Sequence, residues 1–167
     1  MENVVATPMM SFMDAVKKCF ANYANFNGRA RRSEFWWFYL LVAAVNGILG
    51  WILQIFAAKK AAVVSEAISV MFSDPDKLAA LEAQEASYAN INLIIMIVMA
   101  VWALGTLLPM LAAGARRLHD VGKSGHLQWL WLVCGIGGLI PLIMCIPDGS
   151  PAPNQYGESP KYVPQTV

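Results

Sequence analysis

The chain has 167 residues, of which 57% are hydrophobic and 14% charged, with a formal net charge of +1. A water-soluble domain carries nearer a quarter of charged residues, so this chain has too few to cover a water-facing surface. The near-neutral balance, with no basic groove, excludes nucleic acid as a partner.

The length suits a single domain over 1–167, and the long uncharged runs make it a membrane domain. Cys19, Cys134 and Cys145 are odd in number and follow no metal-ligand spacing. They read as buried thiols rather than as a disulfide framework.

The opening MENVVATPMMSFMD has no basic segment leading into an apolar core. No cleavable signal is expected, and the first apolar run reads as a retained anchor. Residues 1–8 read as frayed. Ser11 with Asp14 resembles a capping box, with aspartate in place of the usual glutamate or glutamine. Behind it Phe12, Val16, Phe20 and Tyr23 recur at helical spacing, opposite Asp14, Lys17 and Lys18. The spacing predicts an amphipathic helix over 11–24, lying in the membrane interface or packed on the bundle. The flanking lysines favour the interface.

After a turn at 25–28, Arg29-Ala30-Arg31-Arg32-Ser33-Glu34 runs straight into Phe35-Trp36-Trp37-Phe38-Tyr39. Basic residues beside an aromatic cluster mark a membrane–water boundary. Residues 35–57 form the first apolar span, ~34 Å long at ~1.5 Å per residue. Within it Asn46, Gly47, Gly50 and Gln54 form a small and polar stripe. Such a stripe is expected to pack on a neighbouring helix, in preference to lining a substrate path.

Residues 58–90 are alanine-rich and acidic. Ser73-Asp74-Pro75-Asp76 combines cap residues with proline at a first helical position, so a new helix starts there. The segment reads as an extramembrane helical hairpin, an extension of two packed helices rather than a partner-binding knob. Residues 91–113 are the second span, its helix running on into Arg116–His119, with Gly105 and Pro109 as kink points. Residues 127–146 are the third apolar run, opened by Trp129 and Trp131 and interrupted by Gly135, Gly137, Gly138 and Pro141. A full crossing is expected there, with a re-entrant segment as the alternative. The tail over 147–167 is rich in proline and turn formers and reads as irregular.

The fold class is therefore all-α: a polytopic membrane helix bundle of three transmembrane helices, with an N-terminal amphipathic helix and an alanine-rich hairpin. Three crossings put the amino-terminal segment and the loop 114–126 on one side. Eight basic residues lie there (Lys17, Lys18, Arg29, Arg31, Arg32, Arg116, Arg117, Lys123), against four on the other (Lys59, Lys60, Lys77, Lys161). The excess predicts a cytoplasmic amino terminus, with the tail on the opposite side for a full third crossing and on the same side for a re-entrant one.

The densest charge is Arg116-Arg117-Leu118-His119-Asp120 with Lys123 close behind. On a helix Asp120 is in reach of Arg116 at i,i+4 and of Arg117 at i,i+3. Glu34, at the head of the first span, can pair with an arginine of the second. Arg29, Arg32, Glu34, Arg116, Arg117, His119, Asp120 and Lys123 are thus the candidate site. The group reads first as a lattice locking helices together, second as forks for anionic lipid phosphates. His119, His126 and Asp120 match no zinc pattern, and Gly122-Lys123-Ser124-Gly125 lacks the Walker spacing. No metal or cofactor is expected. No nucleophile–base pair stands out, so enzymatic activity is not expected.

Three motifs carry a resemblance. Gly28-Arg29-Ala30-Arg31-Arg32-Ser33-Glu34-Phe35-Trp36 resembles the G-R-x-x-R-x-E-F-W entry to the first span of small bacterial inner-membrane proteins of the YhaH type, a family defined by a domain of unknown function. Arg116 to Asp120 with Gly122 to Gly125 is similar to its R-R-L-H-D-x-G-[RK]-S-G loop. Pro153-Asn154-Gln155-Tyr156-Gly157 resembles its closing P-N-x-[YF]-G. The match covers most of 11–160 and is weakest over 58–90, an insert longer than is common in such proteins. His126 stands where the family tends to have tryptophan, and Ala152 replaces its usual glycine. The resemblance implies a bacterial inner-membrane location and several helices, and no activity. The expected function is that of a non-enzymatic membrane protein acting by self-association or through a membrane protein partner. The alternatives are anionic-phospholipid binding and a small transporter subunit, which needs a polar cavity around Asn46, Gln54 and Thr106.

Overall fold

A computed structural model of the chain describes residues 4–132 and 139–164. In chain order the elements are β1 (Val4–Ala6), α1 (Phe12–Ala21), α2 (Arg32–Val70), α3 (Pro75–Asp120), a 3-10 helix (Gly125–Leu132), α4 (Leu139–Met144) and β2 (Tyr162–Pro164). They group into two compact units, Val42–Leu104 and Met1–Leu41 with Gly105–Val167.

The unit Val42–Leu104 is a helical hairpin. Its helices come from runs of alanine, leucine and isoleucine that proline interrupts only at the turn. The Ser73 and Asp74 N–H groups fold back on the Val70 carbonyl at 3.0 and 3.1 Å and close α2. Asp74 then caps α3, its Oδ1 accepting from the Lys77 N–H at 3.0 Å, with Pro75 at the first helical position. Val63 and Leu81 are buried. Lys77 meets Glu66 at 2.8 Å and Lys60 meets Glu85 at 3.5 Å, exposed pairs worth ~0.2–1 kcal/mol each.

The rest of this unit is uncovered apolar surface, including Trp51 at 68%, Ile94 at 60% and Leu104 at 69% exposure. So large an apolar face is unstable in water and suits hydrocarbon, where a helix satisfies its own backbone. Both α2 and α3 are long and apolar enough to cross a membrane, with mean hydropathy of 2.0 and 2.4 in their best windows. The stripe expected to pack on a neighbouring helix is open among the described residues. Asn46, Gly47 and Gln54 are exposed, and a Cβ added at Gly47 or Gly50 meets nothing within 4 Å. The hairpin buries side chains nearer its turn instead.

In the other unit α1 lies along the start of α2. Ala15 and Cys19 are fully buried beneath it. Phe12 meets Trp37 edge-on at 5.8 Å and Phe20 meets Phe38 at 5.4 Å. Ser11 caps the helix by accepting from the Asp14 N–H at 3.2 Å and donating to Asp14 Oδ2 at 2.6 Å. Asn22, whose Nδ2 donates to the Lys18 carbonyl at 2.9 Å, ends it at Ala21 rather than at 24. The helix packs on the bundle yet leaves Phe12, Met13 and Phe20 partly exposed, as an interfacial helix would.

The tail is largely irregular up to Lys161, but Val4–Ala6 and Tyr162–Pro164 are strands where a frayed and an irregular segment were expected. β1 pairs antiparallel with β2, Val5 opposite Val163. Thr7 adds a backbone bond of 2.8 Å to the Lys161 carbonyl. The partners are separated by most of the chain, so no local pattern announces them.

The third apolar run also departs from expectation. α3 stops in a Schellman turn: the Gly122 N–H reaches the His119 carbonyl at 3.0 Å and the Lys123 N–H reaches Leu118 at 2.8 Å, with Gly122 at φ +73. The following 3-10 helix turns back along α3, Gln128 Nε2 donating to the Leu111 carbonyl at 2.8 Å. By Cys145 and Pro147 the chain is again beside Arg117, and the Ser150 N–H meets the Asp120 carbonyl at 3.2 Å. The run expected to make a full crossing at 127–146 therefore starts and finishes at the same end of α3. What brings its two ends together is bonding: Gln128 reaches back to Leu111 at one end, and Arg117 holds the Cys145 and Pro147 carbonyls at the other. Cys134, Gly135, Gly137 and Gly138 lie outside the described residues. The tail lies beside the amino-terminal segment, to which it is joined through β1 and β2.

With the native cysteines replaced, Ser124→Cys and Ser150→Cys should both react with an impermeant maleimide from one side of the membrane. Labelling from opposite sides would restore a full third crossing.

Candidate functional site: a buried charge cluster and the cleft beside it

The last turn of α3 carries Arg116, Arg117, His119 and Asp120, and the turn before α2 carries Arg29. A backbone hydrogen bond from the Ala30 N–H to the Arg116 carbonyl, 2.9 Å, sets the two segments side by side. Asp120 sits at the centre. Its Oδ1 accepts from Arg29 Nε at 2.8 Å and its Oδ2 accepts from Arg117 Nη1. All three side chains are 5% exposed or less.

Each guanidinium then spends its remaining donors on tail carbonyls. Arg29 reaches Ala152 at 3.0 Å, Gly157 at 3.2 Å and Ser150. Arg117 donates through Nε to Cys145 at 3.2 Å and through Nη2 to Pro147. The Cys145 and Pro147 carbonyls lie just past the end of α4, and those of Ser150, Ala152 and Gly157 follow along the tail. The tail comes so close to Asp120 that a Cβ on Gly149 would overlap the carboxylate. Only glycine fits there.

A second pair lies deeper. Glu34, fully buried, accepts from Arg116 Nη1 at 2.6 Å on Oε1, and Lys18 Nζ of α1 stands 2.9 Å from Oε2. Cys19 Sγ leans on the Glu34 carbonyl at 3.7 Å, and burial pushes its thiol up to about 12. The first turn of α2 thus ties α1 to the end of α3.

The tail motif closes over His119. The imidazole stacks on Tyr156, centroids 3.8 Å apart and planes within 6°. Its Nδ1 is 3.1 Å from the Gly28 carbonyl, and Asn154 Nδ2 donates to the His119 carbonyl at 2.9 Å. Asn154 Oδ1 also accepts from the Tyr156 N–H at 2.9 Å, an Asx turn completed by Gly157 at φ +122. Gly28, at φ +83, makes the turn that aims its carbonyl at the histidine.

Beside the cluster opens a cleft of about 780 Å³. Trp36, Trp37, Tyr39 and Leu40 form its apolar wall, and Arg31, Arg32 and Lys161 stand among its polar lining. Arg31 is held by Thr7 Oγ1 and the Pro8 carbonyl, both at 2.7 Å, and by the Thr7 carbonyl at 2.9 Å. Arg32 is 3.5 Å and Lys161 3.0 Å from the Asp148 carboxylate. The Lys161 hydrogen bond holds the Asp148 carboxyl below its ordinary range and raises the ammonium, so both are charged at neutral pH.

Of the residues singled out from sequence, Arg29, Glu34, Arg116, Arg117, His119 and Asp120 meet in the buried cluster. Asn154, Tyr156 and Gly157 fold onto it, whereas Pro153 is exposed. Arg116 does not take Asp120 at i,i+4, because it turns to Glu34 while Arg29 fills the vacant oxygen. Arg32 stays at the surface, and Lys123 is exposed. Arg31, Ser33, Trp36, Trp37, Asp148 and Lys161 were not singled out. Arg31 had a signal, its place in the basic run; Asp148 and Lys161 had none, because long-range tail contacts place them. Among the described residues no three histidine, cysteine, aspartate or glutamate side chains stand together as a metal ion requires. Thr106 is buried, whereas Asn46 and Gln54 are exposed.

Asp120, Arg29 and Arg117 meet most of their donors and acceptors within the cluster and the tail. Arg117→Lys keeps the charge but loses the fork that reaches three acceptors. It should cost ~3 kcal/mol, the scale of breaking a buried pair, read as a lowered unfolding temperature in detergent. An unchanged temperature would show that the lattice does not hold this end together.

A family model described as "Protein of unknown function (DUF805)" matches residues 23–158. The inner membrane protein YhaI of Escherichia coli strain K12 is 30% identical over 141 residues, covering 84% of this chain and 90% of that one. The inner membrane protein YhaH of the same strain is 30% identical over 152 residues, covering 91% of this chain and all of that one. No solved structure matches. The matched region holds both arginine motifs and the tail turn that together build the buried cluster. With two helices apolar enough to span a bilayer and relatives named for the inner membrane, the chain belongs to this DUF805 family of membrane proteins.

Proposed function

We propose that this protein binds an anionic phospholipid in the cleft beside the buried cluster, without transforming it. The carrying observation is the pairing of two exposed cations, Arg32 and Lys161, with an aromatic and aliphatic wall, Trp36, Trp37, Tyr39 and Leu40, in one cavity. A phospholipid has the same division: phosphate seeks guanidinium and ammonium, and acyl chains seek the apolar wall. In this reading α2 and α3 cross the bilayer, and the segment after α3 re-enters without crossing. The amino-terminal segment and the tail then share the cytoplasmic face. Nine basic residues gather there against three on the hairpin turn side, since Lys161 joins the eight counted before.

Native mass spectrometry of the purified protein should show retained phosphatidylglycerol in preference to phosphatidylcholine. The double variant Arg32→Ala and Lys161→Ala should lose it by about tenfold, as two charged contacts would. Equal retention of both lipids by the wild type would overturn the reading.

Self-association is the second reading, supported by the uncovered Asn46 and Gln54 amides and the open Gly47 and Gly50 surface. Amides in hydrocarbon gain from a partner helix, and small residues let backbones approach. A single cysteine at Gly50 in a cysteine-free chain should then form a disulfide-linked dimer in membranes; a chain that stays monomeric rules this face out.

A further inference from the structure

The inference that follows rests on the lipid reading and concerns how the same cleft is kept closed to the wrong ligand. We propose that Asp148 is a built-in competitor, holding the Arg32 and Lys161 cations until the phosphate of an anionic phospholipid displaces it, with the Ser33 hydroxyl as the third phosphate contact.

Three observations carry this. First, the carboxylate is placed as a phosphate would be. Oδ1 faces Arg32 Nη1 at 3.5 Å and Oδ2 faces Lys161 Nζ at 3.0 Å. Both pairs are partly exposed, with Asp148 47% open, and such pairs are weakly held. The other cations around the cleft are not available in this way. Arg31 is occupied by Thr7 and Pro8, and Arg117 is locked on the buried Asp120.

Second, the Ser33 Oγ is a buried hydroxyl with no hydrogen-bond partner among the described residues, and Ser33 lines the same cleft. Buried hydroxyls are almost always paired, and an unpaired one gains from an incoming acceptor. Arg32 and Ser33 line the same cleft, so one ligand there has both within its lining.

Third, the charges favour an anion. Four cationic side chains and two carboxylates line the cleft. A lipid of net negative charge moves that balance toward neutrality, and a zwitterionic one leaves it unchanged. Displacement requires no refolding. The backbone on both sides of Asp148 is pinned, Pro147 by Arg117 and Gly149 by its close approach to Asp120, so only the Asp148 side chain has to swing. The ligand class is a glycerophospholipid with a net anionic headgroup. Asp148 sets the threshold such a lipid must exceed.

The test uses the full chain in detergent, titrated with dioleoylphosphatidylglycerol or dioleoylphosphatidylethanolamine brominated on the acyl chains, with tryptophan quenching as the readout. Asp148→Asn should bind phosphatidylglycerol about threefold to tenfold more tightly than the wild type, as removing a weak competitor predicts. Ser33→Ala should weaken it by a similar factor. Unfolding temperatures of both variants should match the wild type, because neither residue belongs to the buried lattice. A wild type that binds phosphatidylglycerol and an Asp148→Asn that binds it equally or less overturns the competitor and leaves the lipid reading standing. Preference for phosphatidylethanolamine that vanishes in Asp148→Asn makes Asp148 an ammonium acceptor and also overturns it. Binding by Asp148→Asn alone supports the competitor strongly, and no binding by either chain removes both readings.

Discussion

One carboxylate, Asp120, takes a guanidinium on each oxygen, and the arrangement of this end of the molecule depends on it. Arg29 comes from the turn before α2, Arg117 from α3, and between them they hold the carbonyls of Cys145, Pro147, Ser150, Ala152 and Gly157. Burying ions costs several kcal/mol each, and mutual attraction offsets this only when the remaining donors are also met. Here they largely are, with chain oxygens. The cluster therefore acts less as a source of net stability than as a specification. Any packing that leaves one arginine short of its acceptors carries an uncompensated buried charge.

The cluster also separates two kinds of arginine that look alike in the sequence. Arg29 and Arg117 are consumed internally, while Arg32 keeps an exposed guanidinium at the edge of an apolar cleft. Within one basic run, Arg29 is thus buried in the cluster while Arg32 stays at the surface. The division is geometric: the turn at Gly28 aims Arg29 inward, and Arg32 opens α2 at the surface.

The motifs that carried the family resemblance were legible because they hold many charges in short windows, which an apolar chain tolerates only for cause. Glu34 meeting an arginine of the second long helix followed from topology, and Ser11, Asp74 and Pro75 marked helix starts by local chemistry. Other features had no local trace. Asp148 and Lys161 matter through contacts to residues more than a hundred positions away or across a turn-rich tail. The apolar run after α3 has the composition of a span, yet Arg117 and Asp120 fasten its exit beside its entrance. Composition reports affinity for hydrocarbon, whereas the side on which a segment emerges is decided by what its ends bind. The stripe at Asn46 and Gly50 was expected to pack on a neighbouring helix, and among the described residues it is open.

The reach of Arg29 has a consequence for the order of assembly. Its three carbonyl acceptors lie 121, 123 and 128 residues downstream. Both long helices are synthesised before any of those oxygens exists as part of the chain, and β1 waits still longer for its partner strand. The hydrophobic segments can enter the bilayer early, but the charged face matures only when the final stretch leaves the ribosome. A chain stopped short of Ser150 lacks all three tail acceptors of its first arginine.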